Sequence, residues 1–198
     1  MKIVTAPEQY FPDNKDVLCF LAGGINKCKD WQQKVIETLK KYEHEDPYSF
    51  RHTPDNLVIL NPRRENFPID NPDAAKEQIV WESNWLNKCD IFSMYFCEGE
   101  SDQPICMYEL GRYLHKFSAY NDIEDHMVIS VEQGYKRYKD VVIQTQLATH
   151  NAGLILYQYE VSPEAHADHI ISCYDAIIEK RIKKKKEKLF NHRNFIKR

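Results

Sequence analysis

No apolar run in this chain approaches the roughly 20 residues that a membrane-spanning helix requires, which excludes a helical membrane protein. The N-terminal residues Met1 to Pro7 lack the long apolar core of a secretory signal, so retention in a reducing, cytoplasmic compartment is expected. The six cysteines, at 19, 28, 89, 97, 106 and 173, form no C-x-x-C pair and no short Cys/His cluster. That argues against a zinc site and a disulfide framework, and small buried thiols are the expectation. No G-x-G-x-x-G fingerprint, Walker lysine or solenoid repeat is present, and nothing suggests a bound organic cofactor.

What is present reads as one globular α/β domain. The chain has 198 residues, 42% hydrophobic and 29% charged, enough to bury a single core. Its formal charge of -3 conceals a split. Residues 180–198 carry ten Lys/Arg against one acid, leaving about -12 on the remainder. A domain over 1–179 and a basic C-terminal helical tail over 180–198 follow from this.

Val17 to Ala22 is a continuous apolar run of strand length ended by Gly23-Gly24, the pattern of a strand buried on both faces. Asp30 with Gln33 reads as a capping box opening a helix whose Trp31, Val35 and Leu39 recur every four residues. The unit repeats. Leu57 to Leu60 is a second strand, and Asn71-Pro72-Asp73 starts a helix in which Ile79, Trp85 and Leu86 can face the core. Ile91 to Phe96 is a third strand, and Pro104 opens a helix with an apolar stripe of Cys106, Leu110, Leu114 and Phe117. Met127 to Val131 and Leu154 to Tyr157 complete about five strands, with a helix over Val141 to Ala148 between them. Ser162-Pro163-Glu164 starts a last helix, with Ile170, Ile171, Tyr174, Ile177 and Ile178 on one face. Alternating strands and helices predict a Rossmann-like doubly wound parallel sheet with helices on both faces.

Ligands of such sheets bind beyond the carboxyl ends of the strands. Gly23-Gly24 could let backbone N–H groups approach an anionic or hydroxylated ligand, or serve only the turn. After the second strand, Arg63 and Arg64 could hold a phosphate or sugar hydroxyl, or be surface charge balanced by Glu65. Glu109, in the first turns of the third helix, can point along the helix edge toward the strand ends; alternatively it pairs with Arg112 on a wet surface. Gly111 costs a helix interior roughly 1 kcal/mol relative to alanine, which suggests a close approach to the backbone there. His166 and His169 have metal-ligand spacing without a third ligand, on a segment expected to be exposed. Trp81 and Trp85, four apart, read as core or subunit contact.

Phe20 to Ile25, Asp30-Trp31-Gln32, Asn61-Pro62-Arg63-Arg64, Gln78 to Glu82, Cys89-Asp90-Ile91 and Tyr108-Glu109-Leu110-Gly111 occur in an order that resembles the nucleoside 2-deoxyribosyltransferase-like family. The likeness continues through Gly134-Tyr135-Lys136-Arg137 to Asp140. It implies a flavodoxin-like sheet and a nucleophile, Glu109, that attacks the anomeric carbon as the base leaves. It also implies a substrate site that includes Gly23, Gly24, Asn61, Arg63, Arg64, Asp102, Gly134 and Tyr135. Asp90 is matched to a family aspartate with a role in base recognition or proton delivery, against the alternative of a turn-capping carboxylate. The family's second aspartate has no clear match, since Gln103 stands six residues before Glu109 and Asp102 seven.

The expected activity is transfer of a sugar between nucleobases through a glycosyl-glutamate. Hydrolysis of a nucleoside or nucleoside 5'-monophosphate, with Arg63 or Arg64 on the phosphate, and a non-catalytic nucleotide-binding module are the alternatives. A homo-oligomer is expected from the resemblance alone. The four lysines at 183–186 suit a solvated helix end, or weak contact with nucleic acid or an acidic partner.

Overall fold

In the computed structural model of the chain, residues 1–44, 52–68, 70–117, 126–149, 155–156 and 161–196 are described. Six parallel strands form one sheet: β1 (Lys2–Thr5), β2 (Val17–Gly23), β3 (Leu57–Asn61), β4 (Ile91–Phe96), β5 (Met127–Val131) and β6 (Ile155–Leu156). Their spatial order is β1-β3-β2-β4-β5-β6. Without β1 this is the flavodoxin-like order, so the expected fold class holds, and the crossover directions reverse between β2 and β4.

The strands read in the sequence as unbroken apolar runs are buried along their whole length, because helices cover both faces. On one face lie α2 (Ala74–Leu86), α3 (Pro104–Phe117) and α4 (Tyr138–Ala148), packed over Phe20, Phe92, Phe96 and Ile129. On the other lie α1 (Trp31–Lys41) and α5 (Pro163–Ile196), packed over Cys19, Leu21, Ile59 and Tyr95. The Asp30 carboxylate caps α1 by accepting from the Gln33 N–H at 3.0 Å, as the capping box predicts.

Several expectations change. β1 is additional; it joins the sheet at its edge beside β3, where Ile3 stays partly exposed. Ile79 does not face the core but is 64% exposed, and Trp81 takes the inward position with Trp85 and Leu86. Nothing approaches Gly111, for a Cβ there would meet no atom within 4 Å. The fifth strand is a two-residue β6; residues 154 and 157 and the Phe117 side chain lie outside the described residues. α5 is one helix of 34 residues, so the basic stretch continues the helix that closes the core.

His166 on α5 is fully buried rather than exposed. Each ring nitrogen lies 2.6 Å from a serine hydroxyl, Ser93 on β4 and Ser130 on β5. Burial first, and then the nearby His169, depress its pKa to about 3. The histidine is thus a neutral polar pin holding α5 to the sheet. Among the described residues, no group of three or more His, Cys, Asp or Glu side chains could hold a metal ion.

Candidate active site

A cavity of about 360 Å³ opens at the carboxyl ends of β2, β3 and β4, a size typical of small-molecule sites. Its floor is the end of β2 and the turn that follows, from Phe20 and Ala22 to Gly23 and Gly24. One wall is α3, contributing Cys106 and Glu109, and the facing wall is α2, contributing Glu82. This is the location that the sheet's reversal of connectivity favours.

The two glycines are required, but by protein rather than by ligand. Gly23 has φ +148, and a Cβ there would strike the Tyr95 carbonyl and the Trp31 ring. The Gly24 carbonyl accepts from the Trp31 indole at 3.0 Å, and its N–H donates to the Gln103 amide oxygen at 3.1 Å. The Gln103 amide nitrogen in turn donates to the Cys97 carbonyl at 2.8 Å. Gln103 is buried at φ +47, an uncommon backbone conformation for a non-glycine residue. It therefore fastens the loop that opens α3 to the glycine turn and sets the height of α3 against β2.

Glu109 projects into the cavity from α3, two turns beyond that anchor. Burial, and then the Glu82 carboxylate across the cavity, push its pKa up to about 8, against a smaller opposing effect of Arg112. Burial also raises the Glu82 carboxyl, while a 2.7 Å hydrogen bond from the Gln78 amide and the charge of Arg64 pull it back. The two carboxyls line one recess, and burial together with the Glu82 charge keeps Glu109 protonated near neutral pH. Burial raises the Cys106 thiol well above its ordinary range, with Glu109 adding to the shift. That thiol stays protonated and inert.

The remaining residues singled out in the sequence fall in three places. Asn61 ends β3 and turns its side-chain oxygen back to the Arg63 N–H at 3.0 Å. The Arg63 guanidinium reaches over the loop before α1, bonding the carbonyls of Gly24, Ile25, Cys28 and Lys29 and the Gln32 side chain. Arg64 is held by Glu77 at 2.8 Å and lies over the Phe67 ring. Neither arginine lines the cavity. The Tyr135 hydroxyl supports the loop before α3 by donating to the Asp102 carbonyl at 2.9 Å, and Gly134 makes room for Glu98 beneath it. Asp102 points away, paired with Lys136 at 3.2 Å.

Asp90 lies elsewhere. It precedes β4, so the six residues of the strand, about 20 Å, separate it from the cavity. Its carboxylate accepts from the Leu18 N–H at 2.9 Å and faces Arg181 at 3.4 Å. This placement at the amino end of β4 sets Asp90 apart from the cavity carboxyls; its carboxylate ties β4 to β2 and to Arg181 rather than capping a turn. The carboxyl that does face Glu109 is Glu82, which the sequence reading left without a role. Its signal was there: it stands beside Trp81 and three before Trp85, at the margin of the buried face of α2.

The model of the nucleoside 2-deoxyribosyltransferase-like family matches residues 16–121, just over half the chain. The matched span runs from the start of β2 through α3 and contains both cavity carboxyls. Comparison with curated proteins gives no match. The chain therefore belongs to the nucleoside 2-deoxyribosyltransferase-like family.

Proposed function

We propose that this protein cleaves the N-glycosidic bond of a 2'-deoxynucleoside through a glycosyl ester on Glu109 and transfers the sugar to a second nucleobase. The observation that carries this reading is that Glu109 and Glu82 line one cavity, with burial and the Glu82 charge raising the Glu109 pKa. Paired carboxyls of unequal environment are what double displacement at an anomeric carbon needs. The deoxy sugar and the transfer step rest on family membership.

Reaction begins when Glu109 gives up the proton that burial keeps on it and Glu82 takes it, so that Glu109 is the carboxylate and Glu82 the acid. The C–N bond breaks as the Glu109 carboxylate bonds to the anomeric carbon, and the Glu82 proton passes to the departing base. The incoming base then attacks the same carbon, its proton goes to Glu82, and Glu109 leaves as carboxylate. Two inversions give net retention. Water in place of the second base would make the same site a hydrolase.

The cavity favours an uncharged nucleoside over its 5'-monophosphate. No lysine or arginine among the described residues lines it, and Arg63 and Arg64 are engaged by carbonyls and by Glu77. A phosphate would enter beside two carboxyls, with the nearby Arg64 outside the lining and paired with Glu77.

Deoxynucleosides and their monophosphates, each incubated with and without an acceptor base and analysed by chromatography, test the proposal. Acceptor-dependent exchange is expected, with monophosphates at least about tenfold poorer. Release that ignores the acceptor would make the protein a hydrolase. Silence across the panel would leave a binding module.

A further inference from the structure

The face of α5 that closes the core ends where the domain ends. Ala167, Ile170, Ile171, Tyr174 and Ile177 are buried on the sheet. Arg181 then donates to the Lys15 and Asp16 carbonyls and faces Asp90, anchoring the helix at the amino edge of β2 and β4. From residue 182 to 190 every described side chain is exposed, yet the backbone stays helical. A basic helical rod therefore leaves the body at the edge opposite the cavity.

The distribution of charge on that rod identifies what it fits. Lys183, Lys184, Lys185 and Lys186 are consecutive, so at about 100° per residue they cover about 300° of the helix circumference. A helix lying on lipid needs a broad apolar face with charge confined to the other. Here the exposed apolar side chains Ile182, Leu189 and Phe190 span about 100° of the helix, and Lys186 falls between them and interrupts the face. A folded protein surface likewise meets one side of a helix and leaves the other lysines unmatched. Charge on all sides is matched by a ligand that is anionic on both flanks. The major groove of duplex DNA is about 12 Å wide, admits an α-helix, and is bordered by phosphates on each side.

From this charge distribution we propose that the projecting end of α5, residues 182–190, binds duplex DNA without sequence preference, through its phosphate backbone. Because the rod and the cavity occupy opposite edges of the sheet, the helix tethers the protein and does not deliver a base to Glu109. The inference does not depend on the catalytic reading.

The test uses the full chain and the variant K183Q/K184Q/K185Q/K186Q, with glutamine chosen because its helix propensity is close to that of lysine and circular dichroism confirming the helix. Fluorescence anisotropy with a labelled DNA duplex should show binding at 50 mM salt that weakens about 100-fold by 200 mM, as for roughly four phosphate contacts. The variant should bind at least about tenfold more weakly at 50 mM, with a flatter salt dependence, and process the same small substrates unchanged. An RNA duplex, whose major groove is too narrow for a helix, should bind several-fold more weakly. No DNA binding at 50 mM salt, or equal binding by the variant, overturns the proposal. So does preferential capture on phosphatidylserine vesicles, salt-sensitive self-association abolished by the variant, or RNA bound as tightly as DNA.

Discussion

The two edges of the sheet treat their carboxylates in opposite ways. At the amino edge, burial alone would raise Asp16, but hydrogen bonds from Tyr10 and the Asp13 backbone, with the charges of Lys2 and Arg181, outweigh it and hold the carboxyl below its ordinary value. Asp90 there accepts from a strand N–H and faces an arginine. At the carboxyl edge, Glu109 and Glu82 line the same cavity, and burial raises both. The difference is one of balance: at the amino edge donors and cations outweigh burial of Asp16, whereas at the carboxyl edge burial outweighs the Gln78 donor on Glu82 and keeps both carboxyls raised.

The sharpest break in that comparison is Glu109→Gln. Turnover should fall by about a thousandfold or more, as for loss of a nucleophile, while the protein becomes more stable in alkali. The sign follows from linkage. A carboxyl raised from 4.5 to about 8 in the folded chain supports the fold below pH 4.5 and loses that support as pH rises through 8. Glutamine carries no such loss. Thermal unfolding should show no advantage for the variant at pH 4 and a gain of about 1–2 kcal/mol, after solvent screening, at pH 8.5.

Glu82→Gln comes next. It should lower kcat by about a hundredfold, typical of lost general acid-base catalysis. It removes the neighbouring carboxylate that raises Glu109, so the Glu109 pKa should drop below about 8. In the parent, kcat/KM should fall as pH rises above about 8, where Glu109 has lost the proton it would pass to Glu82; in the variant that alkaline limb should disappear. An unchanged limb would mean that Glu82 is not the proton carrier.

Gln103→Ala cuts the tie between the glycine turn and the loop before α3. A loss of about tenfold in kcat/KM is expected, most of it in KM, because the two walls of the cavity lose their common anchor. The smallest effect on turnover belongs to Asp90→Ala. It leaves the Leu18 N–H without its acceptor and should destabilise the fold by about 1–3 kcal/mol, with turnover of the folded protein within about twofold of the parent. A large loss of turnover without loss of stability would erase the distinction between the edges.

Much of this division was legible in the sequence. β2, β3, β4 and β5 stood out because strands covered on both faces are continuous apolar runs. β1 escaped because four residues at an open edge need only Val4 buried. That Glu109 faces the strand ends was readable from its position on the helix after β4. Glu82 was not, since one residue of helix rotation decides whether Trp81 or Ile79 turns inward. Asp90 was singled out by following the family motif over the rule that ligands sit at the carboxyl ends of strands. The motif residue stands at the start of β4. Arg63 and Arg64 do stand at a strand end, but sequence spacing cannot show that carbonyls and Glu77 already engage them.

The most direct test of the central claim is mass spectrometry of the protein quenched during reaction with a 2'-deoxynucleoside in the absence of an acceptor base. The account predicts a deoxyribosyl adduct on the peptide containing Glu109, absent from Glu109→Gln and lost when a second base is added. Steady turnover with no adduct on that peptide, or an adduct that persists in Glu109→Gln, would contradict it.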